Sequence, residues 1–192
     1  MTVSPLELAA LVGELLERID VPWVIGGSVA GSLIGEPRST LDIDMAIRLT
    51  MAQAEPLVRT VEEEFYVSLD MVRSAVEHSS SFNLLHFASA MKVDLFVLGT
   101  GELDTRQMDR RQRIQAGGDA PVAVWTTAPD DLVLRKLTWF RAGGEISDRQ
   151  WRDVVGILTT QGERLDRGSL QQLADQIGVG DLLARALRDT EA

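Results

Sequence analysis

A strand-like alternation over residues 41–49, with acidic residues at positions 42 and 44, restricts the fold of this chain more than any other feature. Leu41, Ile43 and Met45 occupy every second position, and Asp42 and Asp44 fall between them. A period of two predicts a half-buried β-strand, on which the two carboxylates lie about 7 Å apart on one face. Carboxylates at this spacing can hold one divalent cation together or bridge two. Mg²⁺ prefers such oxygen ligands and keeps several of its waters, which a partly open strand surface permits.

A glycine turn precedes this strand. Residues 23–25 predict a short buried strand, Gly26-Gly27-Ser28 breaks it, and residues 29–34 predict a helix. Two glycines let backbone N–H groups approach an anion closely, and a helix N-terminus adds roughly half a positive charge. Ser28 supplies a hydroxyl for a phosphate oxygen. The pattern predicts a phosphate-binding turn, and a tight turn of purely structural importance is the alternative.

A third carboxylate lies on a later strand. In the segment 91–98, Val93 and Leu95 share an apolar face, whereas Asp94 points the opposite way together with Lys92 and Phe96. If this strand neighbours the strand 41–49, Asp94 joins the other two carboxylates. Like charges a few ångströms apart raise each other's pKa, and a bound cation removes that cost.

These motifs together resemble the DNA polymerase beta-type nucleotidyltransferase superfamily. The residues that carry the resemblance are Gly26-Gly27-Ser28, Asp42-Ile43-Asp44 and Asp94. The segment 26–44 is most similar to a minimal bacterial branch that includes abortive-infection-type toxins. Segments 134–141 and 151–155 resemble the C-terminal helical pair of that branch, with its Lys, Arg and later Asp. The resemblance covers roughly residues 20–160.

The resemblance implies an α+β fold: a nucleotidyltransferase-like mixed sheet flanked by helices, with a C-terminal helical extension. It implies that Asp42, Asp44 and Asp94 are catalytic and hold Mg²⁺, with two ions expected. Asp94 would act as the general base or as a metal ligand that activates the acceptor hydroxyl. The residues expected to bind the nucleotide are Gly26, Gly27, Ser28, Arg38, Thr40, Lys136 and Asp153.

The reaction implied is a nucleotidyl transfer. A nucleoside monophosphate passes from ATP or another NTP to the hydroxyl of a tRNA, a protein or a small molecule, and pyrophosphate is released. The resemblance also suggests a toxin of a toxin–antitoxin pair, with an antitoxin as partner. The alternative is a non-catalytic nucleotide-binding or protein-interaction module on the same fold.

Charge and composition narrow the partners and the location. The net charge is −10, and residues 1–100 carry six basic and fourteen acidic side chains. A polyanion meets repulsion from such a surface, which argues against general DNA binding. The chain has no cysteine, no apolar run near the roughly 18 residues of a membrane span, and no visible signal peptide. We therefore expect a cytoplasmic protein without a membrane partner.

The hydrophobic pattern changes near residue 128 and predicts two parts. We expect a nucleotidyltransferase core over residues 1–128 and a helical subdomain over 129–192, packed on the core. Helices are predicted from a capping box at Ser4, over 51–65 after Thr50, over 70–77, and at 129–142, 147–160, 169–177 and 180–188. Residues 81–88 and 91–98 predict a hairpin, residues 122–125 a last strand, and residues 102–118 stay unassigned.

Two basic features keep alternatives open. Lys136 is one of two lysines beside seventeen arginines, and it either meets phosphate or lies on a helix surface. Arg106, Arg110, Arg111 and Arg113 either guide an acceptor or form a solvated face.

Overall fold

A mixed sheet forms the centre of the N-terminal part of the chain in a computed structural model, which describes residues 3–35, 43–117 and 121–190. Within these ranges the sheet has seven strands in the order β3-β4-β5-β2-β1-β7-β6. The strands are β1 (Trp23–Ile25), β2 (Ile43–Ile47), β3 (Phe65–Tyr66), β4 (Ser81–His86), β5 (Lys92–Val97), β6 (Gln112–Ala116) and β7 (Val122–Thr126). The pairs β2–β5 and β1–β7 are parallel, and the other neighbours are antiparallel.

Helices flank the sheet and make up the C-terminal part, so the predicted α+β fold class is confirmed. They are α1 (Pro5–Glu17), α2 (Gly27–Ile34), α3 (Ala54–Val61), α4 (Leu69–His78), α5 (Glu102–Asp109), α6 (Pro129–Ala142), α7 (Asp148–Gln161), α8 (Arg167–Gln176) and α9 (Gly180–Asp189). The chain divides into two compact units: Met1–Val29 with Thr40–Thr127, and Ala30–Ser39 with Ala128–Ala192. Among the described residues, no helix is both long and apolar enough to cross a membrane.

Helix α1 begins where the capping box predicts. Ser4 and Glu7 cap each other, because each backbone N–H donates to the other's side chain, at 2.7 and 3.2 Å. The hydrogen bond from the Ser4 backbone lowers the pKa of Glu7. The buried stripe of α1 contacts β1, β2 and β7, and Gly13 of this helix lies directly against the indole of Trp23.

The region after Thr50 differs from the predicted single helix over 51–65. A 3-10 turn (Met51–Gln53) precedes α3, and Phe65 belongs to strand β3. Phe65 is fully buried and pairs in register with His86, and the two ring centres lie 5.1 Å apart. Phe65 is therefore in a strand and not in the predicted helix, because pairing with β4 buries its ring. Tertiary pairing of this kind is invisible to local periodicity.

The unassigned residues 102–118 form helix α5 and strand β6. Met108 of α5 packs with Val24 and Ala46, which are opposite each other on β1 and β2. Ala46 and Asp44 are two residues apart on β2 and therefore share a face of the sheet, so α5 covers part of the face on which Asp44 lies. The polar composition of α5 hides this short buried stripe in the sequence.

In the second compact unit, Arg141 of α6 fixes the start of α9. Its guanidinium donates to both carboxylate oxygens of Asp181, at 2.8 and 2.6 Å, and to the carbonyl of Gly178. The hydrogen bonds between the two side chains raise the pKa of Arg141 and lower the pKa of Asp181 below its ordinary value of 3.8. The Asp181 carboxylate therefore adds to stability above that pH, and the contribution is lost as the pH falls through its lowered pKa.

The contact between α1 and β1 yields a first prediction. A Cβ on Gly13 would lie 2.2 Å from an indole carbon of Trp23, which is 3% exposed. We expect Gly13→Ala to lower the free energy of unfolding by about 1–3 kcal/mol, as overpacked cores do. The better helix propensity of alanine, roughly 1 kcal/mol, does not offset this clash. Urea denaturation measures the change, with Glu14→Ala on the exposed face as control. An unchanged or higher stability of Gly13→Ala would contradict the prediction.

Candidate active site

The centre of the candidate site is a pair of carboxylates on neighbouring strands. β2 and β5 are adjacent and parallel, and Asp44 is directly opposite Asp94 in their register. Both residues are half-buried between fully buried neighbours, so both side chains project from the same face of the sheet. Strands lie about 4.8 Å apart, which puts two negative charges within a few ångströms of each other. The sequence made this cluster conditional on the two strands being neighbours, and they are.

The glycine turn touches this pair. The backbone N–H of Gly26 donates to the carbonyl of Asp44 at 2.9 Å, which extends the β1–β2 pairing by one residue. Gly27 is the first residue of α2 and has a φ of +55°. A Cβ on Gly27 would lie 1.9 Å from Oδ2 of Asp44. Only a residue without a side chain allows this carboxylate to lie against the start of α2.

Two buried polar side chains are hydrogen-bonded to the end of β1, just before the glycine turn, and the sequence did not predict them. The side-chain amide of Gln107 donates to the hydroxyl of Thr127 at 3.1 Å, and that hydroxyl donates to the carbonyl of Ile25 at 3.2 Å. Gln107 and Thr127 are both buried. They fix the end of β1 at the residue before Gly26. The sequence offered only the isolated apolar residues Leu103 and Met108 of α5, and nothing in it connected Gln107 with Thr127.

Two further residues lie on the carboxylate face. Asn83 of β4 is opposite Asp94, so Asn83, Asp94 and Asp44 form a row across three strands, here called the carboxylate row. The ammonium of Lys92 lies 2.8 Å from Oδ2 of Asp94. The sequence placed Lys92 on this face but assigned it no role, and it did not single out Asn83.

The donors in this row suit a hard divalent cation. Asp44, Asp94 and Asn83 offer carboxylate and amide oxygens, which are the ligands that Mg²⁺ takes in proteins. A Cβ at Gly27 would collide with the Asp44 carboxylate, so the absence of a side chain there leaves this carboxylate room beside the turn. Within residues 3–35, 43–117 and 121–190, no cluster of three or more His, Asp or Glu suited to a metal ion is found. Asp42, the remaining predicted ligand, falls outside those ranges.

The other predicted nucleotide-binding residues divide into three groups. Ser28 is the second residue of α2 and is half-buried. Arg38 and Thr40 lie outside the described residues, like Asp42. Lys136 and Asp153 belong to the second compact unit, where α6 and α7 carry them.

Lys136 and Asp153 form a buried ion pair. The ammonium lies 2.8 Å from Oδ2 of Asp153, and the two side chains are 4% and 12% exposed. A Cβ on Gly31 would lie 3.4 Å from Cε of Lys136, so the helix segment carrying this glycine borders the pair. The alternative of an exposed helix-surface lysine is therefore wrong. Taking both charges out of water is expensive, and only good geometry offsets it.

Part of the arginine cluster has a structural partner. The guanidinium groups of Arg111 and Arg113 lie 4.7 and 5.6 Å from the ring centre of Trp125. Arg111 also donates to the carbonyl of Met108 at 2.7 Å. These contacts tie β6 and the end of α5 to β7, which leaves less of the cluster for an acceptor.

Comparison with solved structures defines the class of fold. No protein-family model matches the sequence, and no curated protein gives a significant match. A nucleotidyltransferase-like antigenic protein from Paracoccidioides brasiliensis superposes with a TM-score of 0.53 at 20% identity, covering 94% of this chain and 90% of that one. The solution structure of the antibiotic-resistance factor ANT(2″)-Ia gives 0.52 at 13% identity, covering 97% and 95%. A crystal structure of ANT(2″)-Ia with adenylyl-2″-tobramycin gives 0.52 at 14% identity, covering 94% and 95%.

At this level of identity the similarity concerns the backbone architecture. The chain has a nucleotidyltransferase fold, as the sequence resemblance predicted. The abortive-infection branch of the resemblance has no counterpart among these three structures. The activity and the roles of individual residues therefore depend on the site geometry of this chain.

The contact between Gly27 and Asp44 gives a second prediction. On the sequence prediction that this turn binds a nucleotide, we expect Gly27→Ala to weaken binding of a non-hydrolysable ATP analogue by about tenfold or more, because the new methyl group displaces the carboxylate. Calorimetry with Mg²⁺ measures the affinity. Gly144→Ala is the matched control, since Gly144 also has a positive φ (+79°) but open space around its Cβ position. Equal losses of affinity in the two variants would show that Gly27 serves only the turn.

The buried ion pair gives a third prediction. Asp153→Ala leaves the ammonium of Lys136 buried without its partner and is expected to cost about 3–5 kcal/mol of stability. The double variant Lys136→Met/Asp153→Leu replaces the pair with apolar groups of similar volume and should recover most of that loss. Denaturant unfolding measures both. Glu55→Ala, which breaks the exposed Arg59–Glu55 pair, is the control and should cost at most about 1 kcal/mol. A cost for Asp153→Ala as small as the control's would contradict the prediction.

Proposed function

We propose that this protein is a Mg²⁺-dependent nucleotidyltransferase that moves a nucleoside monophosphate from ATP or another NTP to an acceptor hydroxyl. The observation that carries the proposal is the pairing of Asp44 with Asp94 on adjacent parallel strands, against a glycine turn that opens a helix. Two carboxylates so placed are costly unless a cation neutralises them. A glycine turn beside them suits the phosphates that accompany such a cation.

The residues of the proposal have distinct tasks. Asp44 and Asp94, with Asp42 from the alternation in the sequence, hold the metal; when bound, Mg²⁺ neutralises charge on the attacking and leaving oxygens. The turn Gly26-Gly27-Ser28 binds triphosphate oxygens through backbone N–H groups and a hydroxyl. We also assign Arg38, Thr40, Lys136 and Asp153 to nucleotide binding. Their assignment comes from the sequence resemblance.

Proton transfer falls to Asp94. A carboxylate oxygen of Asp94 takes the proton of the acceptor hydroxyl as its oxygen attacks the α-phosphorus. The new oxygen–phosphorus bond forms while the bond to the bridging oxygen breaks, and pyrophosphate leaves with that electron pair. Positioning and charge neutralisation supply most of the rate enhancement in phosphoryl-group chemistry of this kind.

The acceptor is the hydroxyl of a tRNA, a protein or a small molecule, and the activity belongs in the cytoplasm. A toxin role in a toxin–antitoxin pair is the further hypothesis. It requires a small partner gene beside this one and an antitoxin that binds the purified protein. Incubation with labelled NTPs and each acceptor class decides among the acceptors.

Replacing the paired carboxylates tests the proposal. We expect Asp44→Asn to abolish Mg²⁺-dependent transfer. Asp94→Asn should keep much of the nucleotide affinity and lose turnover by about a hundredfold or more, because the base acts after binding. Pyrophosphate release measures turnover, and calorimetry with an ATP analogue measures affinity. Glu63→Gln, which neutralises an exposed carboxylate outside the row, is the control and should keep the native rate.

Two results would contradict the proposal. Native turnover in both carboxylate variants would remove Asp44 and Asp94 from the mechanism. ATP-analogue binding by the native protein, with no pyrophosphate release on any acceptor class, would favour the non-catalytic nucleotide-binding module instead.

A further inference from the structure

A lysine ammonium lies beside the carboxylate row. Lys92 and Asp94 are two residues apart on β5 and share one face, and the Lys92 ammonium lies 2.8 Å from Oδ2 of Asp94. Asp94 is the residue that faces Asp44. The Lys92 ammonium therefore offsets negative charge on a residue that the proposed function assigns to the metal ion.

The two partners of this ion pair differ in exposure. The Lys92 side chain is 56% exposed, whereas the Asp94 side chain is 26% exposed. A lysine ammonium on a long, flexible stem can move further than a carboxylate held close to its strand.

We propose that Lys92 makes metal binding at the carboxylate row depend on the nucleotide. The inference rests on the proposed function, because it assigns a regulatory residue to the same site. A free divalent cation must displace the ammonium from Asp94 and then bear its repulsion. A cation that arrives with a nucleoside triphosphate brings negative charge, and the displaced ammonium can contact those phosphate oxygens. Lys92 therefore weakens binding of metal alone more than binding of metal together with nucleotide.

The expected size of the effect follows from the exposure of the pair. Exposed ion pairs affect an equilibrium by about two- to fivefold. Lys92 lowers the affinity for free metal but leaves the affinity for metal in the complex with nucleotide unchanged. By linkage, the coupling between metal and nucleotide binding therefore rises by the same factor as the affinity for free metal falls. The charge of Lys92 carries this effect, so an arginine at the position should preserve it.

Manganese binding to the full-length protein tests the inference. Mn²⁺ replaces Mg²⁺ as the probe, and electron paramagnetic resonance measures its Kd with and without a non-hydrolysable ATP analogue. We expect Lys92→Met to bind free Mn²⁺ about two- to fivefold more tightly than the native protein. In the presence of the analogue the gain should vanish or reverse. Lys92→Arg should resemble the native protein.

Control variants separate this inference from its premise. Arg59→Met removes an arginine from another exposed ion pair and changes the net charge equally, so it should leave both Mn²⁺ affinities unchanged. An unchanged or weaker free Mn²⁺ affinity in Lys92→Met, with native binding intact, would overturn the inference alone. Failure of the folded native protein to bind Mn²⁺ even with the analogue would overturn the proposed function and, with it, this inference. Thermal unfolding checks that each variant is folded.

Discussion

The repulsion between two carboxylates that face each other across adjacent parallel strands is the constraint on which the rest of the site depends. Asp44 and Asp94 share the outer face of β2 and β5 because the apolar layer takes every other residue of both strands. Gly27 gives the first carboxylate room, and Lys92 supplies positive charge to the second. Each neighbouring feature thus either permits this arrangement or offsets its electrostatic cost.

The sequence predicted correctly those helices and strands that are determined by residues close together in the chain. The Ser4 capping box, the strand before Gly26 and the hairpin strands around residues 81–98 all follow from caps, breaks and alternation, and the structure has them. The helix predicted over 51–65 was wrong at its end, because burial of Phe65 against His86 depends on a strand twenty residues away. Helix α5 was missed since its buried stripe is short and its composition polar.

The candidate site shows the same division. Alternation along the strand predicted that Asp94 and Lys92 share a face. It did not predict that β2 and β5 are adjacent, because the sequence of one strand does not determine which strand pairs with it. The support of Gln107 and Thr127 for the end of β1 joins residues twenty positions apart and leaves no periodic trace. The sequence singled out Lys136 because lysine is rare in this chain. Only the fold shows that Lys136 forms a buried ion pair with Asp153.

The strand at one end of the sheet has a consequence for the behaviour of the protein in concentrated solution. β3 is two residues long, and the exposed acidic run Glu62-Glu63-Glu64 comes directly before it. Unpaired edge strands recruit strands of other molecules, and short length and dense charge are the usual means of preventing it. A second copy of this chain that approaches this edge is repelled by three negative charges if its own surface is acidic. It also finds only two residues of β3 with which to form backbone hydrogen bonds. The acidic run between α3 and β3 therefore acts against self-association into extended sheets.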